Sequence, residues 1–219
     1  MWAMRFGKLL VLVAVLGVGC RSDTTLSSPS AGASAAATAV PAAATTTSVA
    51  ASAATATAPD CVASAAPLVE LTEGPYYKAG PPQRASLMQS GLVGTPLTLT
   101  GAVVTRSCRP LANAKLDFWQ ADGNGNYDNS GYTLRGWQLT DAQGRYRLET
   151  VIPGLYPGRT EHIHVKVTPA GGQTYTTQLF FPGVAQNTSD SIYSGSMLIK
   201  LDRSTTPIAG TFLFVVNLP

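Results

Sequence analysis

The sequence predicts an all-β fold, an antiparallel β-sandwich with long loops, and two observations lead there. Short runs suited to strands recur through residues 61–219, with Gly, Pro, Asn and Asp filling the gaps between them. Helical periodicity is scarce over the same stretch, so seven or eight short strands must bury their apolar faces in two packed sheets.

Two segments precede the sandwich and take no part in it. Residues 1–20 begin with the basic Arg5 and Lys8, continue in the apolar run Leu9 to Val18 and end in Gly19-Cys20, the layout of an export signal. The run is too short to span a bilayer as a mature helix. Cys20 at its end points to a lipoprotein signal, in which the new N-terminal cysteine receives acyl chains. Leu16 stands one place further from the cysteine than is usual, so ordinary cleavage nearby is the alternative. The expected location is therefore the cell envelope, with the protein exported and membrane-anchored through lipid on Cys20.

Residues 21–60 are almost entirely Ala, Ser, Thr, Val, Gly and Pro, without periodicity or aromatic side chains. Such a segment cannot bury enough surface to fold and reads as a disordered tether, with a reach of about 35 Å. Residues 61–219 form one domain of ordinary size. With Cys20 acylated, Cys61 and Cys108 remain as an even pair in an oxidising compartment. A disulfide is the expected outcome and two free thiols the plainer alternative. Their separation excludes a C-x-x-C redox or zinc motif.

The expected strands are 97–105, 114–120, 133–140, 145–151, 162–168, 174–181, 197–201 and 211–218. Asp141-Ala-Gln-Gly144 forms a hairpin-type turn, after which Tyr146 alternates with Arg145 and Arg147 as the buried face of a strand. The stretch 121–131, rich in Asp, Gly and Asn, is a long loop, the kind of element on which sites sit.

Charge narrows the function classes. The formal net charge of +3 drops to +1 once Arg5 and Lys8 are removed with the signal, and only 12% of the chain is charged. No basic stripe remains for nucleic acid. The chemistry-bearing stretch is Gly154 to Val167, which holds both histidines of the protein. His162 and His164 are two apart in an extended run where Ile163, Val165 and Val167 alternate, so they project to one strand face with Cα atoms roughly 7 Å apart. On that pattern alone, one surface histidine and one hydrogen-bonded histidine is a serious alternative to a metal site.

Their neighbours shift the balance. Tyr156, between Pro153-Gly154 and Pro157-Gly158-Arg159, can be folded back by a turn toward the same point, and Tyr127 lies in the 121–131 loop. A His₂Tyr₂ donor set suits Fe(III), because phenolates are hard donors that a trivalent cation can deprotonate. Tyr132, in the same loop, is the rival to Tyr127.

These residues sit in motifs that resemble the intradiol ring-cleavage dioxygenases, typified by protocatechuate and catechol dioxygenases. Leu99-Thr-Gly-Ala-Val103, Pro110-Leu-Ala-Asn-Ala-Lys-Leu-Asp-Phe-Trp-Gln120 and Gly125-Asn-Tyr127 are similar to that family's signature, which ends at the first tyrosine ligand. Pro153-Gly-Leu-Tyr-Pro157 resembles the segment with the second tyrosine ligand, and Arg159-Thr-Glu-His-Ile-His164 the segment with both histidine ligands. Thr72-Glu-Gly-Pro-Tyr-Tyr77 resembles the lead-in to the domain, and Thr177-Gln-Leu-Phe-Phe181 the strand after the histidines. The resemblance spans about Thr72 to Gly183. Cys108 and Glu161 depart from the family's habit, the second bearing on the electrostatics beside the metal.

The resemblance implies an Fe(III) cofactor on Tyr127, Tyr156, His162 and His164. It further implies a small catechol-type substrate with O₂, and ring opening between the two hydroxylated carbons to a muconate-type diacid. Catalytic roles are implied for Tyr156 as base, Arg159 as stabiliser of negative charge and Gln178 as an orienting group. The plainer alternatives are a surface salt bridge for Arg159, with Glu161 as a nearby acid, and a strand-face hydrogen bond for Gln178. Pro75, Tyr76, Tyr77, Tyr132 and Trp137 are the candidate pocket walls. The alternative from another class is a non-catalytic transthyretin-like sandwich that binds iron or an aromatic ligand at the cell surface.

Overall fold

The computed structural model describes Cys61 and residues 66–218, so the expected export signal (1–20), Cys20 and the tether (21–60) lie outside the described residues. Eight strands are seen among the described residues: β1 (Pro96–Thr105), β2 (Lys115–Trp119), β3 (Arg135–Leu139), β4 (Arg145–Val151), β5 (His162–Thr168), β6 (Tyr175–Phe180), β7 (Lys200–Asp202) and β8 (Ile208–Val216). They form two four-stranded sheets, ordered β4-β1-β8-β7 and β3-β2-β5-β6. The expected β-sandwich is present.

Two details differ from the sequence reading. The pair β1–β8 is parallel, with Leu99 opposite Gly210 and Val103 opposite Phe214. No hairpin constrains their direction, because the chain builds the whole of the other sheet between them. The run expected at 197–201 is mostly not strand: a 3₁₀ turn takes Gly195–Met197, and β7 begins only at Lys200.

Alternation along each strand sends one set of side chains between the sheets. Leu97, Leu99 and Val103 of β1 and Leu148 of β4 face Leu116 and Phe118 of β2, Ile163, Val165 and Val167 of β5 and Leu179 of β6, all within one buried cluster. Each such side chain contributes roughly 1.5–3 kcal/mol. Tyr146 belongs to the same cluster, as the alternation predicted, and its hydroxyl donates to the Phe212 carbonyl at 3.0 Å. Gly101 makes this packing possible, since a Cβ there would stand 1.8 Å from the Phe212 carbonyl oxygen.

The other set of side chains on β3-β2-β5-β6 faces away from the sandwich core. Register places Arg135, Trp119, His164 and Gln178 opposite one another in a single row across the four strands, with His162 beside Phe180 one row on. The loops at 72–80, 121–134 and 152–161 lie over this row. Cys61 and Cys108 are joined by a disulfide across 47 residues of sequence, with Cα atoms 5.7 Å apart, tying the segment before β1 to the β1–β2 turn.

Candidate metal centre

Two aspartates shape the loop that carries Tyr127. Asp122 Oδ1 accepts the amides of Asn124 and Asn126, both at 2.9 Å. After the tyrosine, the Asp128 carboxylate accepts the amides of Gly131 at 2.6 Å and of Thr133 and Ser130 at 3.0 Å. These bonds, the Gly131 amide foremost, hold Asp128 well below the usual carboxylate range. The second loop docks directly on the first: Gly154 N donates to the Asp122 carbonyl at 2.8 Å, and a Cβ on Gly154 would stand 2.4 Å from the Gly123 carbonyl oxygen. Beyond it the chain turns tightly, Arg159 N donating to the Tyr156 carbonyl at 3.0 Å, so Tyr156 and Arg159 project together.

Four side chains converge where these loops meet β5. The Nε2 atoms of His162 and His164 are 3.0 Å apart, and Tyr156 Oη lies 3.3 Å from His162 Nε2. The Tyr127 ring sits 5.7 Å from that of Tyr156 and 6.4 Å from that of His164, centroid to centroid. The two histidines are 98–99% buried although they point away from the sandwich core. His162 Nδ1 lies 2.6 Å from the Thr160 carbonyl, an acceptor only, so Nδ1 carries the proton and the Nε2 lone pair faces the cluster. His164 stacks on Trp119, ring centroids 4.7 Å apart and planes within 8°.

Burial governs the protonation states. It lowers His162 to about 4, with Arg159 adding to the effect, and it takes His164 well below its ordinary value, aided by His162 and then Arg159. Both imidazoles are therefore neutral donors of lone pairs. Burial raises Tyr127 well above 10, with the Tyr156 phenol adding and Arg159 and Arg135 opposing. Tyr156 is raised by burial too, against the pull of Arg159. The Tyr127 oxygen is buried without a well-formed hydrogen bond, as is His164 Nδ1.

An unsatisfied buried phenol beside two imidazole lone pairs costs stability unless something binds there, and a cation answers that need. Among the described residues no group of three or more His, Cys, Asp or Glu could hold a metal, so a cation at this point would take two imidazole nitrogens and two phenolate oxygens. That donor set fits Fe(III), which prefers hard anionic oxygen and acidifies the phenols it binds.

Arg159 is braced on three sides. Its Nε donates to Asp190 Oδ2 at 2.9 Å, its Nη1 to Tyr156 Oη at 3.3 Å and its Nη2 to Gln178 Oε1. Gln178 Nε2 in turn donates to the Thr72 carbonyl at 2.8 Å. The acid beside Arg159 is thus Asp190, not Glu161. Half-buried Glu161 is raised by burial and has Arg203 as its opposing charge, and it contributes to the shift of neither histidine.

The rival tyrosine and the wall residues fall out clearly. Tyr132 donates to the Ala79 carbonyl at 2.9 Å and lies under Lys78, away from the cluster. Tyr76 stacks on Tyr127 at 4.4 Å and meets Tyr156 edge-on at 6.0 Å, roofing both phenols. Tyr77 packs against Trp119 and bonds Asp117. Pro75, Tyr76 and Tyr77 line a cavity of about 430 Å³ that reaches Arg135. Trp137 sits opposite Asp117 with Lys115 over its ring, one row away from the histidines.

Sequence reasoning missed three residues. Arg135, 1% exposed, bonds the carbonyls of Tyr76 and Asp128 and lies 5.9 Å over the Tyr127 ring. Trp119 is the platform for His164. Asp190 anchors Arg159 from 31 residues downstream, and no motif marks it.

Comparison with known proteins identifies the family. A family model described as Dioxygenase matches residues 72–207, more than half of the chain. The chain belongs to that family, the intradiol ring-cleavage dioxygenases. The protocatechuate 3,4-dioxygenase beta chain of Burkholderia cepacia is 30% identical over 129 residues, 51% of this chain and 55% of the relative. The dioxygenase domain of a dioxygenase–carbohydrate-binding protein fusion from Streptomyces sp. SirexAA-E superposes with a TM-score of 0.68 at 45% identity, over 70% of this chain and all of that one. The 3-chlorocatechol 1,2-dioxygenase of Rhodococcus opacus 1CP gives 0.64 at 26%, over 69% and 73%. The chain spans about half the length of the curated relatives it matches. As a dioxygenase-family chain, it carries a tyrosine or histidine at each of the four positions its motifs single out.

Proposed function

We propose that this dioxygenase-family chain is an Fe(III)-dependent enzyme that opens the ring of a catechol-type substrate between its two hydroxylated carbons, using O₂ and forming a muconate-type diacid. The observation that carries the reading is the meeting of the His162 and His164 Nε2 atoms with the Tyr156 phenol beside the buried, unsatisfied Tyr127 phenol. Tyr127, Tyr156, His162 and His164 would hold the iron. As a Lewis acid it would draw electron density from a bound catecholate and make a ring carbon open to O₂.

The protein's own groups do the rest. Ionised Tyr156, its oxygen held by Arg159 Nη1, takes up a hydroxyl proton of the arriving substrate. Arg159, fixed by Asp190 and Gln178, offers its remaining positive field to the negative charge that builds on the ring. Gln178 holds Arg159 against the lead-in segment through Thr72. Tyr76 and Trp119 keep water from the phenols and imidazoles, which strengthens every charge interaction inside.

The purified full chain loaded with Fe(III) should be deeply coloured by phenolate-to-iron charge transfer. The band should shift with catechol and vanish in the double variant Tyr127→Phe/Tyr156→Phe. A colourless loaded protein, or a band that survives both substitutions, removes the ligand assignment. A coloured protein that consumes no O₂ with any catechol in a panel would favour the binding-only sandwich.

The cellular setting is a second part of the proposal: export and anchoring by lipid on Cys20. Residues 1–20 support it, as does the Cys61–Cys108 disulfide, a bond that persists in oxidising compartments. Cys20→Ser should move the protein from the membrane fraction to the soluble one. Unchanged membrane association would defeat the anchor.

A further inference from the structure

We infer that Asp190 is a positioning residue of this centre: one buried carboxylate sets both the orientation of Arg159 and the seat of His162. The inference rests on the function proposed above. Asp190 follows the 3₁₀ turn Ala185–Thr188, and its side chain is 1% exposed. Its Oδ2 accepts two bonds at 2.9 Å, from Arg159 Nε and from the Thr160 amide. Its Oδ1 accepts the Ile192 amide at 2.8 Å.

Each bond to Oδ2 governs a different part of the site. The bond to Arg159 Nε fixes the guanidinium plane. Its Nη1 and Nη2 then fall on Tyr156 Oη and Gln178 Oε1, because the three nitrogens are coplanar and cannot be aimed separately. The bond to the Thr160 amide fixes the Arg159–Thr160 peptide and so holds Thr160 in place. The Thr160 carbonyl takes the His162 Nδ1 proton at 2.6 Å, and this contact keeps Nε2 turned to the cluster. A second brace supports the same residue: Thr160 Oγ1 donates to Asn187 Oδ1 at 2.6 Å, and Asn187 Nδ2 donates to the Phe181 carbonyl at 2.9 Å.

Among the described residues no other acid forms an ion pair with Arg159. Arg159 forms its ion pair with Asp190, its side chain only 12% exposed, and Glu161 has Arg203 as its opposing charge. Without that carboxylate the guanidinium would be a largely buried charge without a counter-charge, and its lowest-energy course would be to swing outward and leave Tyr156 and Gln178. A purely structural ion pair would cost stability when broken. A positioning residue costs rate through Arg159, and a double-mutant cycle separates the two.

The test uses the iron-loaded full chain and the variants Asp190→Asn, Arg159→Met and their combination. It measures kcat and KM on catechol, the affinity for 4-nitrocatechol from its visible shift, the resting band, and the thermal midpoint of the metal-free protein. Asn retains an acceptor for Arg159 Nε and the Thr160 amide but removes the charge. The expected result is a 10- to 100-fold lower kcat in Asp190→Asn, with the resting band kept and KM and 4-nitrocatechol affinity changed less than about threefold. Because Asn keeps the acceptor for the Thr160 amide, the seat of His162 is retained, and in the Arg159→Met background the same substitution should add no further loss.

If Asp190→Asn lowers only the thermal midpoint, or if its rate loss multiplies with that of Arg159→Met, the positioning role is overturned. Should Asp190→Asn fail to fold, Asp190→Glu serves. It keeps the charge one methylene away, and a folded, coloured Asp190→Glu with undiminished kcat also overturns the role. A wild-type chain that is colourless with Fe(III) or inert on every catechol overturns the proposed function itself, and the role of Asp190 with it. A coloured, active wild type confines any failure to Asp190.

Discussion

His162 illustrates how a single side chain comes to present a neutral lone pair. A backbone carbonyl fixes its tautomer, and burial keeps it neutral down to about 4, against an ordinary value of 6.5. In the metal-free protein this has a consequence for stability. The unfolded chain takes up the proton near 6.5 and the folded chain only near 4. Between those values the unfolded state therefore binds more protons, so stability is full above 6.5 and falls as the pH drops toward 4. The loss from this one residue is on the order of 3 kcal/mol. Thermal unfolding of the apo chain at pH 7 and pH 4.5 should show it, with a smaller loss in His162→Gln. The histidines and tyrosines were legible in the sequence because their types are rare and their motif spacing is fixed. The partner of Arg159 was not. Glu161 is two residues away in sequence yet has Arg203 as its opposing charge, whereas Asp190 is brought in by the turn after β6, a long-range event that no local pattern encodes.

At the level of elements, period-two alternation found seven of the strands to within about two residues at most ends and placed both histidines on one face of β5. The structure lays three loops over the row Arg135, Trp119, His164 and Gln178 on that face. The loops lie that close because two of them meet backbone to backbone at Gly154 and Gly123. Gly154→Ala should force the loops carrying Tyr127 and Tyr156 apart. The expected cost is about 1–3 kcal/mol in stability, together with at least a tenfold weaker hold on Fe(III) in competition with a chelator. An alanine variant with unchanged iron affinity would show that the loop spacing is set elsewhere.

For the whole molecule, the sandwich was predictable from strand count and composition, but the parallel pairing of β1 with β8 was not, because the direction of β8 beside β1 depends on how the chain returns after the other sheet is complete. The disulfide adds a constraint across 47 residues at the segment leading into β1. Replacing Cys61 and Cys108 together by Ser should lower stability by about 2–4 kcal/mol, read by urea unfolding, and reductant should reproduce the loss in the native protein.

The two sheets carry unequal duties. The sheet β4-β1-β8-β7 supplies none of the four donors, while the outer face of β3-β2-β5-β6 holds a ruled line of side chains whose intervals are those of neighbouring strands. Inheritance can act on the two parts separately. Exchanges in the covering loops would change the walls above this row while the spacing of the histidines stays fixed by the hydrogen-bonded frame beneath, so under the function proposed above the ring admitted would change without rebuilding the donor set.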